Sequence, residues 1–322
     1  MPTVSVVIPC FNAARWISDT LASVQAQDYQ DLEIIVVDDG STDGSAELIA
    51  HAFPSVHLVR SENGGASRAR NIGTQLARGE FIQYLDGDDL LAPGKLEAHV
   101  QALESSAADI AYGDWRELRA GSDGTFMPGK LVARRIDGDP QIALLTDFWC
   151  PPAVYMFRRA IVDRVGGWDE AQPVIEDVRF VVECALWAAK LVYCPGLAAF
   201  YRVHTAQSLS TRDPVAFTRG CLRNAVMVEQ RWRRDRGLTQ PRRAALVRVY
   251  GQVARASFGR DADTFETAFA TLTRLQPGYT PAGPWHLALA SRMVGYRSAE
   301  AMAVRYRRAK HSLRAALQLA VR

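Results

Sequence analysis

The sequence predicts an α/β protein with a mainly parallel β-sheet, followed by a helical C-terminal region. Short apolar segments rich in β-branched residues alternate with amphipathic helical segments along the first third of the chain. Polar residues such as Asp, Asn and Gly follow the ends of these apolar segments. Beyond Pro214 the strand-like segments stop, and Ala, Arg and Leu dominate. Alternation of this kind favours right-handed crossovers and places ligands at the carboxyl ends of the strands.

The individual elements follow from these patterns. Four strands are predicted, at Val4 to Ile8, Leu32 to Val37, Val56 to Val59 and Phe81 to Leu85. Helices are predicted between them, at about Trp16 to Gln25, Ala46 to Ala52 and Ala66 to Ala77. A fifth strand is expected at Ala153 to Phe157, and a helix from about Glu176 to Ala189. The length of 322 residues fits about two domains of ~150 residues.

Composition places the chain among ordinary globular proteins. Hydrophobic residues make up 48% and charged residues 23% of the sequence, which excludes disordered and disulfide-scaffold classes. No apolar run approaches the ~18 residues of a membrane span, and no basic leader precedes an apolar stretch. The five cysteines are odd in number and form no C-x-x-C pair, which is typical of a reducing compartment. We therefore expect a cytoplasmic protein.

Charge divides the chain at about residue 213. Residues 1–213 contain 18 Lys+Arg against 29 Asp+Glu, whereas residues 214–322 contain 20 against 6. An acidic first part that binds a polyanion needs a cation or local hydrogen-bond donors. The basic last part is suited to an anionic surface.

Two carboxylates one residue apart, Asp86 and Asp88, directly follow the fourth predicted strand. Oxygen ligands at this spacing can share a divalent cation and, through it, hold a diphosphate group. A solvated turn is the alternative, because Asp and Gly are favoured turn residues. A calcium-binding loop is excluded, because Leu90 and Leu91 stand where that loop needs an oxygen ligand and a glycine.

The order of several polar motifs favours the functional interpretation. Together they strongly resemble the family 2 glycosyltransferases of the GT-A fold, in the non-processive form found in bacteria. The resemblance covers about two-thirds of the chain and does not extend to residues 214–322. The motifs are Ser5 to Asn12, Val37 to Asp43, Asn63 to Gly73, Asp86 to Asp89, Gly166 to Glu170, Glu176 with Asp177, and Tyr201 to His204.

The resemblance implies a domain plan and a donor site. Residues 1–213 would form the catalytic domain, with a nucleotide-sugar half at about 1–112 and an acceptor half at about 113–213, where loops within 113–150 shape the pocket. Asp39, or less favourably Asp38, would accept a hydrogen bond from the base, and a carboxylate suits the N–H of uracil or thymine. Arg70 would approach the nucleotide, with a surface helix arginine as its alternative. The full set implied for the nucleotide sugar is Pro9, Phe11, Asn12, Asp38, Asp39, Arg70, Asp86, Gly87 and Asp88.

The same resemblance implies a metal site and a general base. Asp86, Asp88 and His204 would bind Mn²⁺ or Mg²⁺, although a lone histidine is also often structural. Asp177 would take the proton from the acceptor hydroxyl while the hydroxyl oxygen attacks the anomeric carbon. The attack would invert the configuration of that carbon. The alternative is that the two acids merely complement the helix dipole. The residues implied for the acceptor are Trp168, with a flat ring face, Asp169 and Glu176.

The implied reaction moves one sugar from a UDP- or dTDP-sugar to an acceptor hydroxyl, in cell-surface polysaccharide or glycolipid assembly. Processive relatives carry a Q-x-x-R-W motif, but Gln230, Arg231 and Trp232 are contiguous here. A catalytically inactive nucleotide-sugar binding protein is one alternative. A nucleotidyltransferase is a weaker one, because the first strand is not followed by a glycine-rich loop with a basic residue. No P-loop motif occurs, and the arginines lack the aromatic pattern of a nucleic-acid binder.

The end of the chain predicts an amphipathic basic helix. Its apolar stripe comprises Met302, Tyr306, Ala309, Leu313, Leu317 and Ala320, and arginines and lysine fill much of the remainder. One interpretation is peripheral contact with the anionic inner face of the membrane. The other is packing of the stripe on the catalytic domain or on a second subunit of a homo-oligomer.

Overall fold

The computed structural model describes residues 3–121, 125–203, 213–235 and 237–306. The chain divides into two compact units, Met1–Arg212 and Asp213–Arg322. The first unit contains a mixed, mostly parallel sheet with helices, and the second is helical. The predicted fold class is confirmed.

The sheet of the first unit has nine strands within the described residues. They are β1 (Val4–Cys10), β2 (Leu32–Asp38), β3 (His57–Arg60), β4 (Phe81–Tyr84), β5 (Leu90–Leu91), β6 (Ile110–Ala120), β7 (Phe126–Val132), β8 (Tyr155–Arg158) and β9 (Leu191–Val203). Their order is β3-β2-β1-β4-β8-β6-β9-β5, and β7 pairs with β6. Strands β1 to β4 run parallel, β8 is antiparallel to both its neighbours, and β6 and β9 are again parallel.

Within the described part of the first unit, seven α-helices cover the sheet or connect its strands. They are α1 (Ile17–Gln25), α2 (Ser45–Ala52), α3 (Ala66–Leu76), α4 (Lys95–Glu104), α5 (Pro140–Thr146), α6 (Arg159–Val165) and α7 (Glu176–Leu186). The α7 helix ends before the predicted Ala189, because Ala188 adopts a left-handed conformation with φ of 62°. The expectation of loops over 113–150 is wrong in part, since this segment holds most of β6, all of β7 and α5.

The parallel strands bring the polar motifs to one edge of the sheet. Cys10 lies opposite Asp38 in the β1–β2 pair, so both strands end at the same level. The β4 strand runs parallel on the other side of β1 and leads directly into Asp86. The interior beneath this edge is apolar, with β1 and β2 residues such as Ile8 and Val36 fully buried. The loops that follow β1 and β2 and the acidic segment that follows β4 therefore lie at the same edge of the sheet.

The second unit is built from helices that bury large side chains. They are α8 (Pro214–Asp235), α9 (Gln240–Ser257), α10 (Ala262–Leu275), α11 (Trp285–Val294) and α12 (residues 296–306). Thr239 and Asp261 cap α9 and α10 by accepting backbone N–H groups. Glu229 of α8 accepts hydrogen bonds from Tyr250 of α9 at 2.8 Å and from Arg274 of α10 at 2.9 Å. One buried carboxylate thus ties three helices together.

Within the described ranges, none of the helices combines the length and apolar character that crossing a membrane requires.

Candidate active site

The loops that follow β1 and β2 are fastened to each other by hydrogen bonds. The Asn12 N–H donates to Ser41 Oγ, and Asn12 Oδ1 accepts the N–H of Thr42, each at 2.9 Å. Asn12 holds a left-handed conformation with φ of 50°, which Asn tolerates better than most residues. Phe11 beside it is exposed. These contacts hold the two loops together, and the side chain of Phe11 remains accessible to a ligand.

The two carboxylates at the end of β2 differ in their partners. Asp39 Oδ1 and Oδ2 each accept a backbone N–H, from Gly64 and Gly65 respectively, at 2.8 Å. These bonds anchor the loop that leads into α3. Asp38 is buried, and its Oδ1 has no hydrogen-bond partner among the described residues. An ionised carboxylate has about four acceptor sites, so both side chains retain capacity for a ligand N–H.

Arg70 of α3 connects the acidic segment after β4 with the start of α7. One guanidinium nitrogen donates to Asp86 Oδ1 at 2.6 Å and another to Glu176 Oε1 at 3.1 Å. The side chain is buried, which rules out the alternative of a surface helix arginine. Burial opposes the charge, but Asp86 and Glu176 outweigh it and raise the pKa of Arg70. Arg70 is therefore a permanent cation between two groups of acids.

The acids that follow β4 are crowded and only partly compensated. Burial raises the pKa of Asp86, Arg70 lowers it, and the neighbouring Asp88 raises it further. Burial, Asp88 and Asp86 together raise the pKa of Asp89 well above its usual value. Asp89 Oδ2 has no hydrogen-bond partner within the described part of the chain. An additional positive charge placed here relieves repulsion between these carboxylates.

Asp177 lies in the first turn of α7 and has an environment suited to proton transfer. Burial and the charge of Glu176 raise the pKa of Asp177 to about 7. Trp149 Nε1 donates to Asp177 Oδ2 at 2.7 Å, and the Val178 N–H donates to Oδ1 at 2.7 Å. Helix-dipole complementarity alone lowers the pKa of a carboxyl group. The helix dipole alone therefore does not account for the environment of Asp177.

Trp168 does not present the open ring face that the sequence suggested. Only 4% of its surface is exposed. Phe180 stacks on it with ring centroids 4.3 Å apart, and the guanidinium carbon of Arg70 lies 4.3 Å from its ring centroid. The expectation that Trp168 offers a ring face to a sugar is wrong, because these neighbours cover it. Trp168 instead supports Arg70 from within the fold.

The other two acids assigned to the acceptor are held by arginines. Glu176 accepts a hydrogen bond from Arg70, and Asp169 lies 3.5 Å from a guanidinium nitrogen of Arg179. The loop between α6 and α7 is fixed by Asn71 of α3. Asn71 donates to the carbonyl of Trp168 at 3.0 Å and accepts its N–H at 2.8 Å. Asp169, partly exposed, is thus kept beside the site by a loop fastened to the nucleotide-side helix.

Three aromatic residues form a cluster that contacts Asp177 through Trp149. Of these three, the sequence indicates only Tyr201, as part of the Tyr201 to His204 motif. Trp115, Trp149 and Tyr201 form edge-to-face contacts, with ring centroids 5.5 to 5.6 Å apart. Burial followed by the charges of Asp89, Asp86 and Asp88 raises the pKa of Tyr201. Trp115 and Trp149 come from the segment predicted as loops, and a lone tryptophan in such a segment carries no positional signal. The pairing of β6 with β9 brings Trp115 next to Tyr201, whereas Trp149 lies in the segment that follows α5.

The sequence and fold of the chain match a known family over this same unit. A model of glycosyl transferase family 2 matches residues 5–165, which is half of the chain. The chain belongs to glycosyl transferase family 2.

Family 2 relatives of this chain come from several bacteria. An uncharacterized glycosyltransferase of Nostoc is 29% identical over 213 residues, and the glycosyltransferase GlyG of Streptococcus pneumoniae is 38% identical over 128 residues. These matches cover 64% and 38% of this chain. They cover 66% and 42% of the relatives' own lengths.

Solved structures of family 2 type share the fold at low sequence identity. TarS 1-349 of S. aureus in complex with UDP-GlcNAc has a TM-score of 0.59 and 19% identity, covering 96% of this chain and 92% of that one. The mannosyltransferase PcManGT of Pyrobaculum calidifontis, in complex with GDP-Man and Mn²⁺, has a TM-score of 0.53 and 18% identity. This likeness covers 94% of this chain and 86% of PcManGT.

The donor set of this family 2 chain fits a divalent cation bound together with a diphosphate. Among the described residues, no three His, Cys, Asp or Glu side chains converge as a complete ligand set. Mg²⁺ and similar ions bind through one or two carboxylates plus substrate phosphates, and Asp86 and Asp88 supply two hard oxygen donors. Burial, followed by the charges of neighbouring acids, raises the pKa of Asp86 and Asp89, and both causes favour a cation there. The predicted third ligand, His204, lies outside the described residues.

Proposed function

We propose that the protein is an inverting, metal-dependent glycosyltransferase that moves one sugar from a nucleotide diphosphate sugar to an acceptor hydroxyl. The bridge made by Arg70 carries this proposal. It joins Asp86, on the donor side, to Glu176, the direct neighbour of Asp177. Carboxylates suited to a cation and a carboxylate suited to proton transfer therefore share one site.

The donor is a UDP- or dTDP-sugar in this proposal. The exposed Phe11 is proposed to contact the base. Asn12, beside it, holds the loop that follows β2 by accepting the N–H of Thr42. Asp39 is the preferred acceptor for the base N–H, because its two backbone bonds fix its orientation, and Asp38 is the alternative. The UDP-GlcNAc in the TarS complex supports a uridine nucleotide, whereas the GDP-Man of PcManGT makes a panel of bases necessary.

Asp86 and Asp88 are proposed to hold Mn²⁺ or Mg²⁺, with His204 as a further ligand. The ion supplies Lewis-acid stabilisation of the departing diphosphate. Gly87 between the two aspartates lies close to the backbone of β1, where an added Cβ would come within 3.1 Å of the Pro9 carbonyl oxygen. Only glycine fits this approach without displacement. The spacing of the two carboxylates is therefore fixed against the first strand.

Asp177 is proposed to be the general base. It accepts the proton of the acceptor hydroxyl as that oxygen forms a bond to the anomeric carbon, and the bond from this carbon to the diphosphate oxygen breaks. Attack opposite the leaving group inverts the anomeric carbon. A base with a pKa of about 7 is matched to neutral pH. Trp149 holds one oxygen of Asp177, which leaves the carboxylate oriented for transfer.

The acceptor is proposed to be a glycan or lipid-linked sugar of cell-surface polysaccharide or glycolipid assembly. Asp169, which is partly exposed although Arg179 lies 3.5 Å from it, and the ring of Trp149 are proposed to contact it, since Trp168 is covered. Trp149 contacts Asp177, and Asp169 lies in the loop that precedes α7. A sugar hydroxyl that reaches the base thus passes residues capable of stacking and hydrogen bonding.

The test is turnover of a panel of nucleotide sugars with Mn²⁺. Release of the nucleoside diphosphate from UDP-, dTDP- and GDP-sugars is measured for the natural chain and for Asp177→Asn. We expect release from a UDP- or dTDP-sugar that depends on Asp177. Binding of a nucleotide sugar without any release would instead indicate an inactive binding protein.

A further inference from the structure

One side of the α11 helix exposes three large apolar side chains to solvent. Trp285, Leu289 and Met293 follow one another at intervals of four residues, so they share one side of the helix. They are 77%, 51% and 78% exposed. Leu287 and Ser291, on the opposite side, are buried. The helix therefore packs by one face and turns a second apolar face outward.

The α12 helix also exposes apolar side chains. Met302 and Tyr306, also four residues apart, are 57% and 66% exposed. Tyr296, Ala299 and Glu300 of the same helix are buried. Met302 and Tyr306 begin the apolar stripe predicted for the chain end, whose remaining members lie outside the described residues. We call Trp285, Leu289, Met293, Met302 and Tyr306 the outer apolar set.

Basic residues accompany the outer apolar set. Arg292 and Arg305 are exposed on the same two helices, and Arg297 is exposed and paired with Glu266. From Pro281 to Arg322 the sequence has eight Lys or Arg residues and a single acid, Glu300, which is fully buried. The sequence of this segment therefore carries a net positive charge.

We propose that the outer apolar set docks this protein onto an anionic lipid surface. Amphipathic helices that lie in a membrane interface combine Trp, Leu and similar side chains with a Lys/Arg-rich border. Trp and Tyr favour the headgroup level, where an apolar ring and a polar tip are both accommodated. An anionic headgroup layer also matches the charge of the segment.

The charge argues against a second copy of this chain as the occupant. A two-fold symmetric interface brings the same patch of both subunits together. Two copies facing each other through the outer apolar set would bring together two surfaces that both carry Arg292 and Arg305. Like charges juxtaposed at an interface are destabilising. A lipid surface supplies the opposite charge instead.

Co-sedimentation with vesicles tests this proposal, independently of any transferase activity. The full chain is mixed with vesicles of phosphatidylcholine alone or with phosphatidylglycerol added, at low and high salt. The test variant is Leu289→Glu with Met293→Glu. The matched control is Leu131→Glu with Met127→Glu, which adds the same two charges at exposed apolar positions of β7. Circular dichroism confirms that both double variants are folded.

The proposal predicts binding of the natural chain to anionic vesicles only. The test variant should lose at least tenfold in partition coefficient, and the control should stay within twofold. No binding of the natural chain to anionic vesicles at low salt would overturn the proposal. Equal loss in test and control would overturn it too, because charge alone would then explain the binding. A concentration-dependent dimer that only the test variant dissolves, seen by light scattering, would assign the surface to a second copy.

Discussion

The carboxylates at the end of β2 and those after β4 lie along one edge of the sheet, but their hydrogen bonds and the directions of their pKa shifts differ. Asp39 gives both oxygens to backbone N–H groups. Partial burial raises the pKa of nearby Asp43, but hydrogen bonds from Ser45 and the Ala14 N–H outweigh it and lower the pKa. After β4, burial and like charge raise the pKa of Asp86 and Asp89. In the first region hydrogen bonds to Asp39 and Asp43 hold the loops together. In the second region the carboxylates are proposed to bind a divalent cation.

Removal of an acid from the second region should have the largest effect. Asp88→Ala should lower turnover by at least about 10³-fold, since a metal's stabilisation of a leaving group is worth several kcal/mol and each ~1.4 kcal/mol is a factor of ten. The measurement is steady-state nucleotide release with Mn²⁺. Asp163→Ala, at an exposed position of α6, is the control and should be near normal. Turnover of the Asp88 variant within tenfold of normal would place the cation elsewhere.

Asp177→Asn should lower kcat by about 10²-fold or more, within the range of positioned acid–base groups. The dissociation constant for UDP should change little, because the base contacts the acceptor rather than the nucleotide. Single-turnover transfer and UDP titration measure the two quantities separately. A near-normal kcat would move the base to another acid, with Asp169 or Glu176 next to be tested.

Arg70→Lys sharpens the comparison, because Arg70 is the cation that joins Asp86, after β4, to Glu176 at the start of α7. Lysine keeps the charge but cannot reach Asp86 and Glu176 together. Loss of one hydrogen bond to a charged group, worth about 1.5–3 kcal/mol, predicts a fall of about tenfold or more in kcat/KM for the donor. Arg68→Lys, two residues earlier in α3, is the matched control. Equal effects of the two changes would contradict a bridging role.

The smallest expected effect is a shift in pH profile. Because a base acts in its ionised form, kcat should rise with pH through about 7, the pKa of Asp177. Trp149→Phe removes the N–H that favours the ionised carboxylate, so the midpoint should move upward by about one unit. At high pH kcat should return towards the natural value. Trp187→Phe, at an exposed position, should leave the midpoint unchanged. An unchanged midpoint in Trp149→Phe would show that this contact does not tune Asp177.

Local pattern was sufficient for the parallel half of the fold. The β1, β2 and β4 strands are mostly apolar runs, and Asp38 and Asp86 indicate where β2 and β4 end. The predicted end of β1 at Ile8 is two residues early, because β1 continues through Pro9 to Cys10. The β6 and β9 strands were missed. Gly113, Asp114 and Pro195 interrupt the alternation of apolar and polar residues in these two strands. The strands also pair over a long distance in the sequence, so no local periodicity indicates them.

The candidate site divides in the same way. Asp86, Asp88 and Asp177 stand in recognisable motifs, so the sequence indicated them. Trp149 reaches Asp177 only through tertiary packing, and no spacing in the sequence joins the two. The covered ring of Trp168 is the converse case, because a motif residue suited by type to a sugar is used instead to pack against Phe180 and Arg70.

Metal-dependent nucleotide binding tests most directly the claim that the acids after β4 bind a divalent cation. Isothermal titration of UDP, dTDP and GDP into the natural chain is carried out with Mn²⁺ and with excess EDTA, and repeated for Asp88→Ala. The account predicts that UDP or dTDP binds at least tenfold more tightly with Mn²⁺, and that Asp88→Ala removes this difference. Equal affinity of the natural chain in Mn²⁺ and in EDTA would contradict it.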